Sequence, residues 1–243
     1  MQHFLGGVHS VKKMLECYPK HVKRLFMVRG NQHQQWFVAE SKRLGIVVEF
    51  CTKEQLDLWV LGVNHQGIAA AYEQLPSLGL EDLVDRCQKR EGPPVLLILD
   101  RIQDPQNLGA CIRSAACFGV DGIIIPKDNA AGLTPTVLKI AVGACALVPV
   151  VRVTNLVRAM QYLKKNGFWL YGTAEKAKDS IVNCDVDLPI AWVMGNETKG
   201  LSSLVMKHCD VLYSIDTAGF STLNIATSTG ICLYQTFSKR LND

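Results

Sequence analysis

Val95-Leu96-Leu97-Ile98-Leu99-Asp100-Arg101-Ile102-Gln103-Asp104-Pro105-Gln106-Asn107-Leu108-Gly109 is the stretch that decides the fold. Five apolar residues in a row suit a strand buried on both faces, the situation of a parallel sheet covered by helices. After a short loop, Asp104 supplies an N-cap carboxylate, Pro105 takes the first helical position, and Gly119 stands ready as a terminator. The spacing therefore predicts a helix over 105–118.

Working outward, apolar runs recur at Gly122 to Ile125, Val148 to Val153, Phe168 to Gly172, Ile190 to Met194 and Val211 to Ile215. Segments of helical length lie between them, and a last helix is expected from about Thr222 to Lys239. Such alternation predicts an α/β fold with a largely parallel sheet. Upstream, the pattern gives a smaller α/β unit: helix Val8 to Cys17, an apolar run at Leu25 to Val28, helix Gln34 to Leu44, strand-like Ile46 to Phe50, and lastly Gly67 to Tyr72. The pattern stops near Gln74, and Pro76, Gly79, Gly92, Pro93 and Pro94 surround a charged segment suited to a linker with one short helix. The expected domains are 1–74, a linker 75–94, and 95–243.

Of the 243 residues, 48% are apolar and 20% charged, which excludes a disordered or fibrous chain. The formal charge of +4 is unevenly spread. Residues 1–53 hold nine Lys/Arg against three acids, and the remainder has a slight acidic excess. Lys12, Lys13, Lys20, Lys23, Arg24 and Arg29 are candidate phosphate contacts, or simply a solvated surface. The nine cysteines include no CxxC pair, so neither a disulfide framework nor a structural zinc site is expected, and a reducing cytoplasm is the expected compartment. The histidines form no ligand spacing either, and the cysteines are expected in the core. No signal peptide is expected, and the longest apolar stretch, around Ile140 to Val151, is too short to span a bilayer.

In open α/β sheets, ligands bind beyond the carboxyl ends of the strands, so three loops are candidates. The first runs from Asp100 to Arg113, where a helix N-terminus with Asn107 in its first turn offers free N–H groups. Read alone, it is also an ordinary capped crossover helix carrying an exposed Arg113. The second, Gly195-Asn196-Glu197-Thr198-Lys199-Gly200, lets a ligand approach backbone at a strand end, or is a plain turn. The third, Ala218-Gly219-Phe220-Ser221-Thr222-Leu223-Asn224, precedes the last helix, which Ser221 or Thr222 would cap. Neither a Walker A nor a GxGxxG pattern occurs.

Taken together and in this order, the loops resemble the SpoU (TrmH-type) RNA ribose methyltransferases of the SPOUT class. Asp104-Pro105-Gln106-Asn107-Leu108-Gly109 with Arg113 is similar to their first motif, Met194-Gly195-Asn196-Glu197 with Gly200-Leu201 to their second, and Thr222-Leu223-Asn224 with Gly230 to their third. His65-Gln66-Gly67-Ile68 and the N-terminal unit resemble an appended RNA-binding domain, similar to ribosomal protein L30e, of members that methylate a guanosine ribose in 23S rRNA.

The resemblance implies S-adenosylmethionine-dependent 2′-O-methylation of RNA, in a homodimer whose catalytic domain is a trefoil knot with the RNA pocket at the subunit interface. It also implies that Arg113 lies closest to the reacting hydroxyl, with Asn107, Glu197, Thr222 and Asn224 arranging the pocket. Thr173, Gly195, Gly200, Leu201, Ile215 and Leu223 are the implied cofactor contacts, and no metal is required. A tRNA ribose methyltransferase and a catalytically silent RNA-binding homologue acting in ribosome assembly are the alternatives. The chain departs from the family where Asp216-Thr217 stands for a usual Pro-Met, Thr222 for Ser, Ala226 for a hydroxyl residue and Thr198 for glycine; the loop before Thr222 is also one residue shorter.

Overall fold

The computed structural model describes residues 3–60, 64–73, 78–141, 143–219 and 223–241. The chain forms two compact units, one of Met1–Pro76 with Leu138–Leu147, the other of Ser77–Val137 with Val148–Asp243.

The first unit contains β1 (His3–Gly6), α1 (Val8–Cys17), β2 (Val22–Val28), α2 (Gln34–Leu44), β3 (Val47–Cys51), α3 (Lys53–Trp59) and β4 (Ile68–Tyr72). Its sheet runs β1-β4-β2-β3, with β4 antiparallel to both neighbours and β2 parallel to β3. Val8, Val11, Met14 and Leu15 of α1, with Phe37 of α2, bury against Leu25, Met27, Ile68 and Ala70 on one face. Leu56 of α3 closes the other against Phe26, Ala69 and Ala71. The expected helices 8–17 and 34–44 form as read. The sequence reading omits α3, although Thr52 and Gln55 make a reciprocal capping box at its start. The His65-Gln66-Gly67 stretch is a turn that ties the start of α1 to β4. Gln66 Oε1 accepts from Val8 N (3.1 Å), and His65 Nδ1 accepts from Gly67 N (2.9 Å), which leaves the ring's Nε2 proton to Asp57 at 3.0 Å.

The second unit contains α4 (Leu80–Gln88), β5 (Val95–Leu99), α5 (Pro105–Cys117), β6 (Gly122–Pro126), α6 (Pro135–Ile140, whose last residues belong to the first unit), β7 (Val150–Val153), α7 (Leu156–Lys165), β8 (Trp169–Thr173), β9 (Asp179–Ser180), β10 (Ile190–Met194), α8 (Ser203–His208), β11 (Val211–Ser214) and α9 (Ile225–Leu241). Its sheet has the order β7-β6-β5-β10-β8-β11-β9, and every pairing is parallel. All strand ends that could carry chemistry therefore emerge at one edge. Every residue of β5 and β10 is buried, as expected for strands covered on both faces.

On one face, α4, α7 and α8 pack Leu83, Val84, Met160, Leu163 and Val205 against Leu96, Ile98, Ala191 and Val193. On the other, Trp192 is fully buried among Tyr171 and Tyr213, and its indole N–H donates to Thr236 Oγ1 of α9 at 2.9 Å. Two boundaries differ from the sequence reading. The span 75–94 carries α4, whose Leu83, Val84 and Cys87 sit in the core of the second unit, so the apolar stripe of a short helix outweighs the flanking prolines and glycines. Residues 138–147, read as part of 95–243, group with the first unit, and the boundary near Gln74 lies outside the described residues.

All nine cysteines are free. Burial pushes the Cys111 thiol up to about 11 and those of Cys87 and Cys209 up to about 12, which keeps them protonated and unreactive at neutral pH. Thr236→Val is expected to lower the unfolding free energy by about 1–3 kcal/mol, because it leaves the Trp192 N–H buried without an acceptor; urea denaturation of the two proteins measures this.

Candidate active site

The register of the parallel sheet sets the three loops side by side. Met194 pairs with Leu99 and Val193 with Gly172, so Asp100 and Gly195 leave neighbouring strands at the same level, one residue beyond the level of Thr173, the last residue of β8. Tyr213 pairs with Thr173, which brings the end of β11 and Ile215 to that edge as well.

The first loop enters α5 as expected, with the Asp104 carboxylate accepting from Gln106 N at 2.9 Å. The second is clamped into a closed turn: Asn196 and Gly200 exchange backbone hydrogen bonds of 3.0 and 2.9 Å. Within it, Asn196 Oδ1 accepts from Thr198 N, Thr198 Oγ1 and Lys199 N, while its Nδ2 donates to the Arg101 carbonyl at 3.0 Å. A Cβ on Gly195 would lie 2.2 Å from backbone atoms of Gly200 and Leu201, so only glycine fits there. Asp100, 2% exposed, joins the two loops from below. Its N–H donates to the Met194 carbonyl, and its Oδ2 accepts from Ser202 N at 3.0 Å.

These anchors bring three distant side chains together. Asn224 Nδ2 donates to Asn107 Oδ1 at 3.0 Å, and Asn107 Nδ2 donates to Glu197 Oε1 at 3.1 Å. One amide thus spans contacts 117 and 90 residues away in sequence. Asn224 has a second duty. Its Oδ1 accepts from Ala226 N at 2.8 Å and its carbonyl from Ser228 N, so it caps α9, which begins at Ile225 rather than near Thr222. Capping by Ser221 or Thr222 is thereby superseded, and Thr222 itself lies outside the described residues.

Arg113 is not brought into this group. It is exposed and makes no ion pair or side-chain hydrogen bond to any described residue. Six residues past Asn107, it lies about 9 Å along α5 and roughly 120° around it. Gly230 of α9 lies against Ser114, and Cys111 meets Thr229 at 3.4 Å, so α5 and α9 pack closely beside it.

Of the residues expected to hold a cofactor, Thr173 ends β8, Gly195, Gly200 and Leu201 follow β10, and Ile215 follows β11. Thr173 is half-buried with its hydroxyl 3.8 Å from Met194 Sδ, Leu201 is buried, Ile215 is half-buried, and Leu223 is exposed despite its apolar side chain. Gly195 is buried and Gly200 turns with a positive φ. Asp216, the departure that adds a charge, is drawn aside by the Ser180 hydroxyl at 2.6 Å. Sequence reading did not single out Asp100 or the Asn196 clamp as anchors; the position of each, directly after a buried run or a glycine, was the available signal.

In the first unit, the basic cluster is partly neutralised. Lys13 pairs with Glu16, Lys23 with Glu73 and Arg24 with Glu49, whereas Lys12 lies over the Trp36 ring and Arg29 over Phe50, at 5.0 and 4.9 Å. No group of residues able to hold a metal occurs among the described residues.

The second unit is thus a parallel α/β domain whose site loops gather at the carboxyl edge of the sheet. The solved SpoU methyltransferase AviRb from Streptomyces viridochromogenes, in complex with AdoMet, matches this chain with a TM-score of 0.74 at 23% identity, over 100% of this chain and 92% of its own. The sequence model of the SpoU rRNA Methylase family matches residues 94–234, and that for RNA 2′-O ribose methyltransferase substrate binding matches residues 4–78. The chain belongs to the SpoU rRNA methylase family. It is 39% identical to the 23S rRNA (guanosine-2′-O-)-methyltransferase RlmB of Pseudomonas putida over 96% of this chain and 95% of the relative. It is 40% identical to RlmB of Coxiella burnetii, over 96% and 94%.

Because Asn107 serves two partners, Asn107→Ala and Asn224→Ala are each expected to cost about 0.5–1.5 kcal/mol, with the double variant costing less than the sum. A double-mutant cycle by urea denaturation reads the coupling, and strict additivity would mean that the bridge carries no energy.

Proposed function

We propose that this chain transfers a methyl group from S-adenosylmethionine to the ribose 2′-hydroxyl of a guanosine in 23S rRNA. The observation that carries this reading is the Asn224–Asn107–Glu197 chain of hydrogen bonds, which joins the three loops at the sheet edge. Near-full-length likeness to relatives named for that reaction supports the substrate.

The residues present suit the donor. Leu201, Ile215 and Leu223 offer apolar surface for an adenine, and the glycine-framed turn 195–200 leaves backbone accessible to it. When bound, S-adenosylmethionine supplies an electrophilic methyl group on a sulfonium sulfur. The chain must then hold the ribose oxygen in line and stabilise the charge it develops. Arg113 is assigned that electrostatic task. A guanidinium keeps its proton, with a pKa above about 12, so it acts by charge and orientation rather than as a base. Glu197, held at Oε1 by Asn107, keeps Oε2 to accept a hydrogen bond from the acceptor hydroxyl. Thr222 is assigned a hydroxyl contact in the same pocket.

Arg113 makes no bond to the Asn107 group of its own chain, and this supports a pocket completed by a second copy. Tyr234, Phe237 and Leu241 leave an apolar face exposed on α9, with Phe118 of α5 against both rings. A homodimer covering that face is the assembly we propose. The C-terminal segment is proposed to form a trefoil knot, and residues 1–74 an L30e-like substrate domain, with exposed Trp36 and Phe50 beside Lys12 and Arg29 for RNA contact. The proposed compartment is the cytoplasm; no helix among the described residues is long and apolar enough to cross a membrane.

The Asp216-Thr217 segment favours a second reading, a silent RNA-binding homologue. Titration calorimetry with S-adenosylmethionine separates the two. Saturable binding is expected; its absence at millimolar donor, with RNA binding intact, leaves the scaffold reading. Arg113→Ala is expected to abolish methyl transfer with donor affinity nearly unchanged, and ribose-methylation mapping of 23S rRNA from cells with and without the protein should show one guanosine lost.

A further inference from the structure

The second loop has two sides. Glu197 faces Asn107, while Asn196, Thr198 and Lys199 border a separate cavity of about 220 Å³ completed by Arg101, Gln103 and Asn129. None of these six residues is aliphatic or aromatic, so a base finds no hydrophobic or aromatic wall there. None is a carboxylate. Two cations, three amides and a hydroxyl are the side chains that contact phosphate oxygens. By contrast, a cavity of about 410 Å³ beside α7 sets Glu81 and Asp82 among its basic residues, which opposes a polyanion.

The backbone is also held in an unusual state there. Arg101 and Asn129 adopt left-handed conformations, with φ of 58° and 56°. Asparagine tolerates this region; arginine does so rarely. Asp100 Oδ1 accepts from Arg101 Nε at 3.1 Å, leaving both terminal nitrogens of the guanidinium to donate elsewhere. The side chains of Gln103, Asn129 and Lys199 make no hydrogen bond to another described residue. Strain kept at a loop that presents unspent donors marks a site rather than a scaffold.

We propose that this cavity binds an RNA phosphodiester next to the methylated ribose, with Arg101 and Lys199 as its charged contacts and Gln103 and Asn129 as its neutral donors. The assignment rests on the RNA-methyltransferase reading and adds the feature that fixes the backbone of the acceptor strand. Bordered by the same 195–200 turn that carries Glu197, a bound phosphate would hold the strand while the sugar edge faces the Asn107 group.

The test uses the full chain, an unmethylated 23S rRNA transcript as probe, and the variants Arg101→Gly and Lys199→Gln. Glycine removes the guanidinium yet accepts the left-handed backbone, so Arg101→Gly should still fold, with a lower melting temperature that reflects the bond lost to the Asp100 carboxylate. Lys199→Gln, at an exposed position, carries the test should the first variant fail to fold. Filter binding across a salt series is expected to show about three- to tenfold weaker binding for each variant, with the slope of log Kd against log salt reduced by about 0.7 per variant. Unchanged affinity and slope would overturn the proposal. So would weaker binding at an unchanged slope, which would mean recognition of a base. Transcript binding is read without the donor, so absence of methyl transfer by the parent protein would end the reading of function while leaving this assignment to stand or fall on its own.

Discussion

The structure of the candidate site depends on one side-chain amide. Asn107 receives a hydrogen bond from Asn224 at its oxygen and gives one to Glu197 from its nitrogen, a donor and an acceptor on two separate atoms as only an amide of that size offers. Aspartate would offer only acceptors and set a second negative charge against Glu197. Leucine would fill the space and connect nothing. The amide also lies in the first turn of α5, where the capped helix start fixes its direction, while Asn224 fixes the first turn of α9. Two helix termini and one strand-end turn are thus locked by bonds that also shape the pocket. A change at Asn107 reaches the orientation of all three.

Much of this was legible because the chemistry of helix starts and buried strands is local. Asp104-Pro105 marked the start of α5, and the apolar runs at 95–99 and 190–194 marked the two strands that carry the site loops. The convergence was legible only through family resemblance, since periodicity says nothing about strand order, and β10 inserts between β5 and β8 against sequence order. What was missed has physical reasons. The start of α9 was placed at a hydroxyl residue because Ser and Thr are common caps, yet Asn224 takes that position and spends its second polar group on Asn107. Helix α3 was overlooked although Thr52 and Gln55 announced it, because its short apolar stripe shows little periodicity. The span 75–94 was read from its prolines and glycines, which describe its ends but not the three residues of α4 that the core needs.

The position of Arg113 constrains what one chain can do. No described acid meets its guanidinium. An unpaired, solvated arginine is weakly discriminating, because water screens it; its charge gains strength when the surroundings exclude water. The apolar surface of Phe118, Tyr234 and Phe237 lies on the same pair of helices, so covering it would lower the dielectric around the guanidinium. Assembly and electrostatic strength would then be one event.

Asp100 explains how the strand end tolerates the left-handed Arg101. Its backbone N–H is fixed to Met194, one carboxylate oxygen to Ser202 N and the other to Arg101 Nε, while the Arg101 carbonyl accepts from Asn196. Four bonds from two neighbouring residues over-determine the turn, so the cost of the positive φ, of order 1–3 kcal/mol, is met by contacts that the loops make in any case. The same buried carboxylate that ties the end of β5 to the start of α8 therefore also holds the guanidinium. Asparagine in its place would keep one acceptor and set an NH2 group against the other donor, so the structural bond and the charge that orients Arg101 cannot be separated at this position.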